Sequence, residues 1–148
     1  MNMNPDLHYK QADETDIDFL LNLRMKTMNP HYETSGLSTD RETTLQRVLY
    51  QFEKANIIFL NDKPIGLLKV DRTFTNIEVL QLQIDPSQQG KGLGKRILSD
   101  ILEEASLAGK TVSLSVLKTN KAQHLYKSLG FRIVDEDQYS YFMETERQ

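Results

Sequence analysis

The chain has 148 residues, enough for one compact domain that buries about 70% of the surface its unfolded form would expose. Hydrophobic residues make up 39% and charged residues 26%; no apolar run approaches the roughly 18 residues of a membrane span, and the absence of cysteine excludes disulfides, thiolate nucleophiles and Cys-ligated metal sites. A net charge of -3 is not the lysine and arginine excess of a nucleic-acid-binding face, so neither nucleic acid nor membrane is an expected partner.

No repeat, low-complexity tract or linker divides the sequence, and a single domain is expected over 1–148. The opening MNMNPDLHYK lacks a basic segment leading into an apolar one, so no secretory signal is read and cytoplasmic residence is expected. Residues 7–12 read as a first strand. Thr15 or Asp13 can cap a helix whose apolar face is set by Ile17, Leu20, Leu21 and the step Leu23, Arg24. That helix should end before Pro30, because the residue preceding a proline is pushed out of the α region; residues 29–38 then read as a loop. Thr39 and Glu42 have capping-box spacing, and Leu45, Val48, Leu49 and Phe52 continue as one face of a second helix. Residues 56–60 and 64–70 are strands about a tight turn, and the alternating NIEVLQLQI at 76–84 is a third that stops at Asp85 and Pro86.

Leu93, Ile97, Leu98, Ile101, Leu102 and Ala105 line one face of the clearest helix, which Gly109 stops. Residues 111–117 form a β-rich run, 120–129 a short helix closed by Gly130, and 131–144 two further strands. The order β-α-α-β-β-β-α-β-α-β-β predicts a mixed α/β fold, with a mostly antiparallel twisted sheet of about seven strands flanked by about four helices. One β-α-β crossover should surround the glycine-rich segment SQQGKGLGKRIL, residues 87–98.

That segment fails two familiar patterns. A Walker A loop needs a glycine where Gln89 stands and a hydroxyl where Arg96 follows Lys95. A dinucleotide fingerprint begun at Gly90 ends on Lys95, and one begun at Gly92 ends on Ile97. What remains is a strand, a proline and a glycine loop opening a helix. Such a loop presents backbone N–H groups with the positive end of the helix dipole behind them, and phosphate is its natural ligand; a tight strand-to-helix turn would use the same glycines. The local cluster Lys91, Lys95 and Arg96 also suits something small and anionic.

Two separated motifs resemble one family. QQGKGLG matches the Q/R-x-x-G-x-G/A signature of the GNAT superfamily of acetyl-CoA-dependent N-acetyltransferases, with Gln89, Gly92 and Gly94 in its first, fourth and sixth places. NKAQHLYKSLGF, residues 120–131, resembles that family's second signature, N-x-x-A-x-x-x-Y-x-x-x-G-F, with the alanine one place early. The resemblance implies that acetyl-CoA is the co-substrate and that its pyrophosphate lies on the backbone of Gln89, Gly90, Lys91, Gly92, Leu93, Gly94 and Lys95; with no cysteine and no metal-spaced histidines, no metal is expected. It implies further that the pantetheine arm pairs like an added strand with Leu82, Gln83 and Ile84. Asn120 corresponds to a position near the cofactor's reactive end, and Lys127 could face the adenosine phosphate. Tyr126 matches the family's usual general acid, a phenol that stays protonated at neutral pH and can donate to the departing thiolate.

Glu78, on the central strand, is the candidate general base, with a water chain as the other route for the amine's proton. Strand parity groups it with Leu80, Leu82 and Ile84 unless a bulge intervenes, leaving Gln81 and Gln83 on the opposite side, where Gln81 can line an acceptor cleft. The loop between the first two helices usually walls the acceptor site in this family, which makes His31 and Tyr32 candidates for substrate binding. His8 and His124 have no metal spacing with His31. Acids Asp13, Glu14, Asp16 and Asp18 could favour a cationic acceptor, although a helix amino terminus is reason enough for them. The expected activity is direct transfer of acetyl to a primary amine of a small molecule or peptide; a GNAT-like domain that binds acyl-CoA as a sensor and catalyses nothing is the alternative. The terminal strands are candidates for pairing in a homodimer.

Overall fold

A computed structural model describes residues 6–146; residues 1–5, part of the amino terminus read above for a secretory signal, and residues 147–148 lie outside it. Seven strands, β1 (Leu7–Gln11), β2 (Ala55–Leu60), β3 (Lys63–Arg72), β4 (Asn76–Ile84), β5 (Thr111–Leu117), β6 (Arg132–Glu136) and β7 (Ser140–Glu144), form one sheet in the order β1-β2-β3-β4-β5-β7-β6. Every neighbouring pair is antiparallel except β4 and β5, the crossover expected around the glycine segment. The helices are α1 (Ile17–Thr27), α2 (Asn29–Thr34), α3 (Arg41–Leu49), α4 (Leu93–Ala108) and α5 (Gln123–Ser128). None is long and apolar enough to cross a membrane.

The apolar stripes of the helices bury both faces of the sheet. On one face α4 presses Leu93, Ile97, Leu98, Ile101 and Ala105 onto Val79, Val112, Leu114 and Met143. On the other, Leu20, Leu23 and Val48 from α1 and α3 meet Ile57 and Leu67. The sixteen-residue α4 is bounded by glycines in the left-handed region, Gly92 (φ +76°) and Gly109 (φ +67°), conformations that other residues adopt only under strain.

Two local expectations are corrected. Residues 29–38 are not all loop, because Asn29–Thr34 forms α2 immediately after α1; Pro30 falls in its first turn, where a missing N–H costs nothing. The cap of α3 is Asp40 rather than Thr39: its carboxylate accepts from the Thr43 N–H at 2.7 Å, while the Thr39 hydroxyl donates to Glu33.

The register of β4 carries the third correction. Lys69 pairs with Gln81 but Val70 with Val79, so Leu80 is an extra residue, a β-bulge. Ile77 and Val79 before it, and Leu82 and Ile84 after it, all pack toward α4. Glu78 therefore shares its face with Gln81 and Gln83 and not with Leu82 and Ile84. Gly66 of β3 lies opposite Ile84, and a Cβ there would stand 2.3 Å from the Gln83 carbonyl oxygen, so only glycine allows so close an approach.

Candidate active site

The parallel ladder between β4 and β5 ends at the pair Val79 and Leu114. Beyond it, residues 81–84 pair only with β3 and residues 115–117 only with β7, so the two central strands diverge. The gap is a cavity of about 150 Å³ walled by both strands, by Arg24 of α1, by Met28 between α1 and α2, by Tyr32 of α2, and by Asn120 and Tyr126. A second groove of about 410 Å³ runs from Leu82 and Ile84 along the glycine loop to α5. Leu82, Leu98 and Tyr126 line both. The two spaces therefore meet at the phenol.

The glycine loop is built from β4 outward. Asp85 receives the Ser87 N–H at 3.0 Å and the Lys26 ammonium at 3.3 Å, which turns the chain away from the sheet, and the Gln89 side-chain amide donates back to the Ile84 carbonyl at 2.9 Å. Gly90 and Gly92 have φ of +80° and +76°, and no protein atom stands where a Cβ would project. The first intrahelical bond of α4 runs from Arg96 N–H to the Gly92 carbonyl at 3.0 Å, leaving the N–H groups of Leu93, Gly94 and Lys95 in the positions that a helix cannot satisfy internally. Open space in front of positive-φ glycines, orphan helix amides and a bordering strand edge fit a pyrophosphate followed by an extended arm. The residues present therefore suit coenzyme A.

Tyr126 is set by the segment that follows it. Gly130 (φ +100°) reverses the chain after α5, Phe131 returns its N–H to the Tyr126 carbonyl at 3.0 Å, and the two rings pack edge to face with centroids 6.0 Å apart. Burial pushes the phenol above its ordinary value of 10, so it stays protonated throughout the neutral range. Asn120 starts the same turn, its side-chain Oδ1 accepting from the Ala122 N–H at 2.9 Å.

The structure thus brings together Tyr126, Asn120, Leu82, Gln83, Gln81 and Tyr32 around the cavity, and Ile84, Gln89, Gly90, Gly92, Leu93, Gly94 and Lys95 along the groove. It does not bring Glu78, His31, Lys91 or Lys127 into either lining. Glu78 and Lys127 are exposed, the Lys91 ammonium bonds to Gln88, and the His31 carbonyl accepts from the Ser35 N–H. Among the described residues no group of three or more His, Asp or Glu is placed to hold a metal ion. Arg24 was hidden within an apolar stripe. It follows Leu20 by four and Leu21 by three positions, and a cation at that spacing was the available signal.

Comparison with known proteins agrees with this geometry. The family model described as "Acetyltransferase (GNAT) domain" matches residues 21–143. A segment is 44% identical over 50 residues to the L-amino acid N-acyltransferase MnaT of Escherichia coli (strain K12), covering 32% of this chain and 29% of that protein. Another is 38% identical over 71 residues to N-alpha-acetyltransferase RimI of Mycobacterium tuberculosis, covering 47% of this chain and 44% of that one. The matches thus span less than half the length of these curated relatives. The PaiA N-acetyltransferase of Thermoplasma acidophilum, solved in complex with coenzyme A, shares the fold at a TM-score of 0.73 and 19% identity, over 95% of this chain and 99% of that one. The ribosomal-protein-S18-alanine N-acetyltransferase of Escherichia coli does so at a TM-score of 0.65 and 19% identity, over 95% and 93%. With the family model matched over most of its length, the chain belongs to the acetyltransferase (GNAT) family.

Proposed function

We propose that the protein is an N-acetyltransferase that moves an acetyl group from acetyl-CoA directly to the primary amine of an amino-acid or peptide-like acceptor. The observation that carries this reading is the meeting of groove and cavity at Tyr126. When bound, acetyl-CoA supplies an acetyl group activated as a thioester. The N–H groups of Leu93, Gly94 and Lys95, with the glycine backbone before them, hold its pyrophosphate, and the open edge of β4 at 82–84 aligns the pantetheine. The splayed strands admit the amine from the α1 and α2 side. As its nitrogen bonds to the acetyl carbon and the carbon–sulfur bond breaks, the Tyr126 phenol gives its proton to the leaving sulfur. Glu78 lies on the acceptor face of β4 but outside the cavity lining, so it takes the amine's proton through water and not by direct contact. The acceptor class follows the relatives, whose names specify an L-amino acid N-acyltransferase and an N-alpha-acetyltransferase.

The test is release of free coenzyme A from acetyl-CoA across a panel of amino acids, peptides and simple amines, run beside Tyr126→Phe. The variant should lose about a hundredfold in kcat, the scale of a single acid catalyst, while binding coenzyme A with nearly unchanged affinity. Equal turnover by parent and variant would remove the acid from Tyr126. Tight acetyl-CoA binding without acceptor-dependent release on the whole panel would favour the sensor.

A further inference from the structure

The acceptor cavity holds a charge that the protein does not balance. Arg24 is 3% exposed, and its Nη2 donates to the Tyr32 hydroxyl at 2.8 Å. Its Nε and Nη1 are buried without a hydrogen-bond partner. Its charged neighbours are cations. The Arg47 guanidinium lies 3.9 Å from the centroid of the Tyr32 ring, on which Arg24 also rests at 5.4 Å, and Lys69 is close enough for Arg24 to depress its pKa. No Asp or Glu lines the cavity. A buried cation normally persists only when paired, because the desolvation of an unpaired one is not recovered. Bracing Tyr32 takes a single donor and needs no charge.

Two buried acceptors complete the lining. Gln81 donates its amide to the Arg47 carbonyl at 3.2 Å, which fixes its Oε1 as the other end, and that oxygen is unpartnered. The Oε1 of Gln83, 3% exposed, is unpartnered as well. Arg24, Gln81 and Gln83, which carry these free donors and acceptors, thus all line one cavity of about 150 Å³, a size that admits roughly a benzene-sized molecule. We propose that the acceptor is a free α-amino acid, whose carboxylate is received by Nε and Nη1 of Arg24 and whose amine lies between the glutamine oxygens and Tyr126. The proposal rests on the acetyltransferase reading and narrows it: the amino terminus of a peptide has an amide where this site asks for a carboxylate, and a polyamine would meet a cation. Asp13 and Asp16, which suggested a cationic acceptor, instead form a capping box around the short 3₁₀ turn Glu14–Asp16 that leads into α1.

The experiment measures kcat/KM for coenzyme A release with a set of L-amino acids, their amides, the matching decarboxylated amines and short peptides, in the parent, Arg24→Met and Arg24→Lys. Calorimetry of the same amino acids with the coenzyme A-bound protein runs alongside. In the parent, amino acids should exceed their amides and decarboxylated amines by at least about tenfold, the least expected of a charge-assisted hydrogen bond. Arg24→Met should abolish that ratio and Arg24→Lys should restore part of it. Amides or peptides used as well as amino acids, or a preference that survives Arg24→Met, would overturn the proposal. If no amine releases coenzyme A yet amino acids bind and Arg24→Met abolishes that binding, the transferase reading fails and the carboxylate site stands. Should Arg24→Met not fold, the ligand series on the parent together with Arg24→Lys decides the matter.

Discussion

Lys69 is fully buried, in a strand whose sequence, PIGLLKV, asks for an apolar residue on each covered face. Its ammonium is there to close α3, donating to the carbonyls of Val48 at 2.8 Å and Tyr50 at 2.5 Å, groups that a helix end leaves without partners. Burial first, and the Arg24 guanidinium second, push its pKa from 10.5 down to about 8. Between those two values the unfolded chain holds a proton that the folded one lacks, so this group's contribution to stability rises with pH across the window. At pH 7, Lys69→Met should cost about 1–3 kcal/mol in urea unfolding through the stranded carbonyls. The gap between parent and variant should then widen as pH rises from about 8 toward 10.5. A gap that stays level up to about 10.5 and narrows only above it would mean that the carbonyls hold the ammonium charged more firmly than burial discharges it. Neither Lys69 nor Arg24 announces its role in sequence. Each is one charged letter in an apolar pattern, and what makes it informative is the partner it has or lacks in three dimensions.

The elements that build the cofactor groove were legible because their signals are local. Gly90 and Gly92 take positive φ, α4 carries an unbroken apolar stripe, and Gly130 with Phe131 fixes the turn that presents Tyr126. The bulge at Leu80 was not legible, since it depends on the register in which β3 and β4 pair, and it reassigns Glu78 to the other face. The helix α2 was missed for a related reason: Pro30 ends one helix and equally well begins another. The loop glycines themselves are not equivalent. Replacing Gly92 strains the backbone whatever is bound, whereas Gly94 is helical and an added Cβ there would meet only Ile84 Cδ1 at 3.8 Å, an ordinary contact. Gly94→Ala should therefore stabilise the free protein by about 0.5–1 kcal/mol, through helix propensity, and at the same time weaken coenzyme A binding, because the methyl group enters the groove. Opposite signs in thermal unfolding and in affinity separate the two roles. Unchanged affinity would move the pyrophosphate off the start of α4.

Across the whole molecule, the amino-terminal strands β1 to β4 join the carboxyl-terminal strands β5 to β7 through a parallel ladder of only four residue pairs, Asn76 with Thr111 through Val79 with Leu114. Past that ladder the sheet is open, and what spans the opening is the core beneath α4, where Leu98 packs in the same cluster as Val79 of β4 and Leu114 of β5. An extended ligand arm that pairs with β4 would occupy the missing strand position and tie the two sets of strands together, so binding should register globally as well as locally. At a hundred times its dissociation constant, a ligand that binds only the folded state adds about 2.7 kcal/mol, which for a chain of this length raises Tm by about 5–10 °C. Coenzyme A should produce that shift, and amide hydrogen exchange at 82–84 should slow at the same time beyond what global stabilisation alone confers. Desulfo-coenzyme A, which keeps the pyrophosphate and nearly all of the arm, should match it. Adenosine 3′,5′-bisphosphate has neither the pyrophosphate nor the arm and should give a smaller shift with no local slowing at β4. Slowing with the bisphosphate as large as with coenzyme A would mean that occupation of the loop alone tightens the strands, and the added-strand picture of the open sheet would fall.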